Sequence, residues 1–167
     1  MKLFLKINIL ILILINTSFA NDKIVFLDIN YVLSNSEKGK LILKQFDEKN
    51  KKNILELEKK ENILKNKEKD LEIKKNILSE NELNKQIEDL KVQIVQFKKE
   101  KDRMVKEFNI YKKKELSSLM QEMNPIISEY VKEKSIDLVL DKKNILIGKT
   151  SYDITENILE LVNTKLK

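Results

Sequence analysis

Residues 37–124 contain no proline and one glycine, Gly39, and charged side chains crowd most of the stretch. Across its second half, apolar and aromatic residues recur in steps of three and four, Leu83, Ile87, Leu90, Ile94 and Phe97, then, one heptad on, Met104, Phe108 and Tyr111. That is a heptad seam, the pattern that keeps one stripe of a long helix against another helix. The first half repeats more thinly, with Leu57, Leu64, Leu71 and Leu78 alternating with Asn53, Lys60, Lys67 and Lys74. Between the halves, Ser79-Glu80-Asn81-Glu82 spells a capping box, in which serine and glutamate satisfy free N–H groups at a new helix start. The spacing predicts two helices, 37–78 and 82–124, meeting at a tip near residues 79–82. Each arm would be ~63–65 Å long at ~1.5 Å per residue. Arms of equal length return both ends to one place, where a compact body can form. The alternative is one rod in a parallel coiled-coil dimer; the capping box at the midpoint favours the hairpin.

Residues 1–20 read as a removable leader. Lys2 and Lys6 precede the aliphatic run Ile9 to Ile15, and Ser18-Phe19-Ala20 places small residues where a signal peptidase reads. The pattern is a secretory signal peptide cut before Asn21. Its apolar run falls short of the ~20 residues that a spanning helix needs. With no cysteine anywhere, neither a lipid-modified cysteine nor a disulfide can form. An exported protein of this kind is expected in the periplasm.

The remaining segments, 21–36 and 125–167, are expected to form the body. Residues 23–29 are β-branched and aromatic and predict a buried strand, followed by a short helical turn at 30–33. Ser34 and Glu37 match the capping-box spacing and are expected to launch the descending arm. Asn124-Pro125 reads as a kinked helical continuation, because Ile126, Ile127, Tyr130 and Val131 resume the periodicity at once. Residues 136–141 and 145–148 read as two strands of a hairpin around Lys142-Lys143-Asn144, and Asp153-Ile154-Thr155-Glu156 opens a last helix. Val25, Leu27, Leu138, Leu140 and Ile147 would lie on strands too few to bury one another, so they are expected at an oligomer interface. The fold class is therefore α+β and mostly α: a long antiparallel coiled-coil hairpin on a small β-rich body.

Charge is unevenly placed. Residues 37–124 carry 23 Lys and Arg against 18 Asp and Glu, while residues 125–167 balance at seven each. Lysine outnumbers arginine 32 to 1, a bias that AT-rich coding imposes, so part of the basic excess is a solvated face. The rest favours anionic partners. Nucleic acid is not expected, since basic and acidic residues mix without a phosphate-tracking stripe. Without histidine or cysteine, the common general base, the thiolate nucleophile and most transition-metal ligands are missing. Two glycines cannot build a phosphate-cradling loop. No enzyme and no cofactor is expected.

Four features together resemble the Skp/OmpH family of periplasmic chaperones. They are the strand Ile24 to Ile29 with its short helix, the charged hairpin, the segment Lys134-Ser135-Ile136-Asp137-Leu138-Val139-Leu140-Asp141, and Tyr152-Asp153-Ile154-Thr155-Glu156-Asn157-Ile158-Leu159. The likeness covers essentially all of residues 23–166. It implies a homotrimer whose β-rich body assembles strands from three chains, with helical tentacles enclosing a cavity for unfolded outer-membrane proteins. It also implies contact with anionic lipid or lipopolysaccharide. It implies an ATP-independent holdase; the alternative is a structural coiled-coil spacer of the cell envelope. The residues themselves suit holding. Ile73, Val92, Val95 and Ile110 lie off the seams, and Lys98, Lys99, Lys101, Arg103 and Lys106 surround them with positive charge. Singly, each aliphatic is an ordinary exposed residue. Together they make a dilute apolar lining for weak multivalent client binding.

Overall fold

The computed structural model describes residues 22–166, so the expected signal peptide lies outside the described residues. The chain runs β1 (Ile24–Leu27), α1 (Ile29–Asn35), α2 (Glu37–Lys74), α3 (Glu80–Glu133), β2 (Leu138–Asp141) and α4 (Thr155–Lys165), with 3₁₀ turns at Lys142–Asn144 and Thr150–Tyr152. α2 and α3 lie side by side and run in opposite directions. The Lys38–Glu122 and Lys60–Glu100 ion pairs and the Lys67–Gln93 hydrogen bond (2.6 Å) join them at matching distances from the turn.

The capping box at Ser79 is formed: Glu82 N–H donates to Ser79 Oγ, and the Ser79 hydroxyl donates to the Glu82 carboxylate at 2.7 Å. The Ser79 hydroxyl first, and then the Ser79 N–H, which donates to the same carboxylate at 3.3 Å, hold the Glu82 carboxyl below its ordinary range. The descending helix stops at Lys74, four residues before its expected end, and Ile77 and Leu78 N–H both fold back onto the Lys74 carbonyl. A five-residue connection is ordinary for antiparallel helices. α3 runs through Pro125 without interruption. It is longer than α2 because its last third belongs to the body.

There Leu119, Met123 and Ile126 meet Val25, Leu27, Val32, Ile42, Phe46, Ile136, Ile154, Ile158 and Val162 in one core. This core crosses the expected boundaries at residues 36 and 125, since Ile42 and Phe46 enter it from one arm and Leu119 and Met123 from the other. Phe46 packs edge-on against Tyr111 and Phe108, with ring centroids 5.6 and 6.4 Å away. Beyond this aromatic group, Leu90 is the one buried residue on either arm. The body is thus packed and the arm is a thin two-helix ribbon.

Three sequence expectations are corrected. β2 does not pair with residues 145–148; it lies parallel to β1, with Ile24 opposite Leu138 and Leu27 opposite Asp141. The crossover between these strands is the entire helical hairpin. After β2, the Asp141 carboxylate accepts Lys143 N–H and Ile145 N–H closes onto the Lys142 carbonyl, which turns the chain away from the sheet. The other edge of β1 is occupied at Phe26, whose carbonyl accepts Ile154 N–H at 3.0 Å. Residues 145–148 are left with no partner and form no strand. Second, Ser36 rather than Ser34 caps α2, its buried hydroxyl accepting Gly39 N–H at 3.1 Å. Third, Val25 and Leu27 are buried within the chain, at 2% and 6% exposure, by the elements packed over β1.

The last helix begins at Thr155, where the Asp153 carboxylate accepts the Thr155 N–H and hydroxyl and pairs with Lys142 at 2.7 Å. Burial works against the charged carboxylate, yet these bonds outweigh it and hold the Asp153 carboxyl below its ordinary range. Its stabilising contribution is present above the unfolded carboxylate pKa and is lost as pH falls through the lowered folded value.

α3 ends in a Schellman motif: Ile136 N–H bonds the Val131 carbonyl at 3.0 Å and Ser135 N–H the Lys132 carbonyl at 3.2 Å. This geometry puts Ser135 at φ 49°, the left-handed region that suits glycine. Ser135→Gly is therefore expected to stabilise the protein by about 1 kcal/mol, net of the added unfolded-state entropy. A higher thermal midpoint by circular dichroism checks it; an unchanged or lower midpoint counts against it.

Candidate functional site

The arm seam is polar where the sequence thinned. Asn53, Leu57, Lys60, Leu64 and Leu71 of α2 are half-buried against the Leu83–Tyr111 stripe of α3. Lys60 bonds both Glu100 across the seam and Glu56 on its own helix, and these acceptors, Glu100 first, raise its pKa. Near the body, Lys49 sits 4.8 Å over the Tyr111 ring, and a cleft of about 210 Å³ lies between Lys49, Asn53, Arg103 and Phe108. A heptad pair with lysine in its seam closes less tightly than one of leucines.

The expected client residues fall outside this seam. Ile73 is 72% exposed, and Val92, Val95 and Ile110 are also exposed. Val92, Val95 and Ile110 follow one another on the face of α3 turned away from α2, whereas Ile73 stands apart near the tip. Beside Ile110 a shallow hollow of about 500 Å³ is lined by Lys101, Asp102, Val105, Lys106, Asn109 and Lys113. The basic residues divide. Lys98, Lys99 and Lys106 are exposed and make no ion pair among the described residues. Arg103 is compensated by Glu107 at 3.1 Å, and Lys101 lies close enough to α2 to help lower the Glu61 pKa. Further exposed aliphatics were missed, among them Leu41, Leu55 and Ile63 on α2, Val105 on α3 and, at the tip, Ile77 (79% exposed). Their signal was available in the sequence, as apolar residues off the heptad stripe.

The body presents a second surface. Leu138, Leu140 and Ile147 are exposed, and so are Ile24, Leu146 and Tyr152, which sequence reading did not single out. Ile24, Leu140, Ile147 and Tyr152 line a hollow of about 650 Å³ beside β1, where Phe26 packs against Gly148. Leu146 and Ile147, at 95% and 90% exposure, are the least covered large apolar side chains of the described body. No metal-binding cluster of His, Cys, Asp or Glu occurs among the described residues.

Comparison with protein families finds one model spanning most of the chain, described as outer membrane protein (OmpH-like), over residues 23–162. The chain belongs to the OmpH-like family. Comparison with solved structures agrees on the architecture of this OmpH-like chain. A crystal structure described as an OmpH-like outer membrane chaperone, from Caulobacter crescentus CB15, superposes with a TM-score of 0.80. At 20% identity it covers 87% of this chain and 86% of its own, so the long helices and small body are a shared fold. The comparison with curated proteins gave no match.

Proposed function

We infer that this OmpH-like protein is an ATP-independent holdase of the periplasm, which binds unfolded outer-membrane proteins between its arms and prevents their aggregation. One observation carries the reading. Both arms leave aliphatic side chains uncovered on faces away from their seam, and unpaired lysines surround those on α3. Such a surface grips extended apolar chain weakly at many points. Family membership and the description of the solved relative as a chaperone support it.

The test is whether the purified protein keeps an unfolded membrane β-barrel soluble without ATP. Suppressed aggregation at near-stoichiometric amounts is the expected result. Aggregation at the rate of the client alone would leave only the envelope-spacer role.

The same reading includes a homotrimer built through the body. Its support is the apolar surface at Leu138, Leu140, Leu146 and Ile147, which one chain leaves in water. Leu140→Asp should disperse the assembly, because an unpaired carboxylate in a dry interface costs several kcal/mol. Leu140 is exposed in the single chain, so the variant keeps its own fold. Light scattering should report three chains for the parent and one for the variant. A parent that is monomeric at micromolar concentration contradicts the trimer.

A further inference from the structure

The outer face of α3 is largely complementary to its own reverse. From the tip toward the body, steps of three and four give Glu88, Val92, Val95, Lys99, Asp102, Lys106, Ile110 and Lys113, with Val105 at the edge. Laid antiparallel on a second copy of itself, this stripe has one register in which all its pairs but Val95 with Lys106 match in charge or apolar character. Lys99 then meets Asp102 of the second copy, Val92 meets Ile110, and Glu88 meets Lys113. Lys106 falls beside Val95 and lays its aliphatic stem along it.

All these side chains are exposed, and Lys99, Asp102 and Lys113 enter no ion pair among the described residues. Glu88 has only a 3.5 Å contact to Lys91. We propose that this face is a docking surface for a second copy of the same face, pairing two arms antiparallel about a two-fold axis between Lys99 and Asp102. The two-fold makes the contact isologous, so it closes at two arms and each heterotypic pair occurs twice. Charge sets the register, since the parallel arrangement places like charges together. The stripe is ~39 Å long at ~1.5 Å per residue, narrow for a permanent interface, so the pairing is weak and concentration-dependent. It covers Val92, Val95 and Ile110; if those residues hold clients, which rests on the function proposed above, client and second copy compete for one face.

Charge exchange tests the pairing on the whole protein without any client, so its failure is separate from failure of the holdase reading. In sedimentation at low salt, the parent should pass with rising concentration to particles of twice the mass set by its body. Lys99→Glu places two carboxylates opposite each other, and Asp102→Lys two lysines. Each should weaken the doubling about tenfold, because two exposed pairs turn from attraction to repulsion. The double variant Lys99→Glu with Asp102→Lys restores opposite charges and should recover the parent's behaviour. A parent that never doubles, single variants that double like the parent, or a double variant that fails to recover would each overturn the pairing.

Discussion

Gly39→Ala should lower the thermal midpoint by about 6–12 °C, the shift expected from ~3 kcal/mol in a chain of this size. A methyl group at Gly39 would stand 1.7 Å from the Leu33 carbonyl oxygen and 2.8 Å from the Ser36 hydroxyl. The first obstacle is backbone, so no rotamer relieves it. The corner between α1 and α2 must open, which also pulls Gly39 N–H from the Ser36 cap, whose loss alone costs about 1 kcal/mol. Gly39 owes its place to this close approach, since its φ is not in the left-handed region. Thermal denaturation by circular dichroism, beside Ser36→Ala, separates the two effects. A Gly39→Ala midpoint within two degrees of the parent would mean that the corner yields freely.

That corner marks where local reading ends. Sequence spacing selected Ser34 because a glutamate follows three residues later, yet Ser36 is the cap although Gly39 follows at that distance and offers no reciprocal carboxylate. The seam, the Ser79 cap and the passage of α3 through Pro125 were legible because each is written within one or two helical turns. The parallel pairing of β1 with β2 was not, since those strands lie more than a hundred residues apart and neither carries a mark of its partner. Residues 145–148 have strand composition but no partner within one chain, and composition alone does not supply one. Val25 and Leu27 were assigned outward for the same reason. Their covering comes from α1, α4 and the far end of α3, which only the assembled body brings together.

Changing Ile73, Val92, Val95 and Ile110 together to serine should weaken client holding on the order of a hundredfold while leaving the thermal midpoint near the parent's. Each exposed aliphatic contributes ~1 kcal/mol through partial burial against a client, and a flexible client that loses some contacts shifts to others, so the four losses do not add fully. Single substitutions should therefore cost only severalfold. None of the four touches the core, so the fold is expected to survive. Fluorescence titration of a labelled unfolded barrel measures the loss. A fourfold variant that binds as tightly as the parent would move the holding elsewhere, to the body hollow or the seam.

Ile73, Val92, Val95 and Ile110 were found from sequence because an apolar residue off a heptad stripe has no other helix to meet. The basic residues were read less well. Glu107 neutralises Arg103 from four residues along the same helix, a spacing present in the sequence, whereas only the packed arms show that Lys101 leans toward Glu61. Lys98, Lys99 and Lys106 remain as the cations free to draw an acidic client segment.

The most direct measurement of whether these faces hold clients is the release rate of an unfolded barrel against salt, for the parent and the fourfold serine variant. Attraction by Lys98, Lys99 and Lys106 acts over about a Debye length and should fade as salt rises from ~0.01 M to ~1 M, whereas aliphatic contact persists. The account predicts that the parent's release quickens with salt to a plateau and that the variant releases faster at every concentration, most of all at high salt. Identical release curves for the two proteins would contradict it.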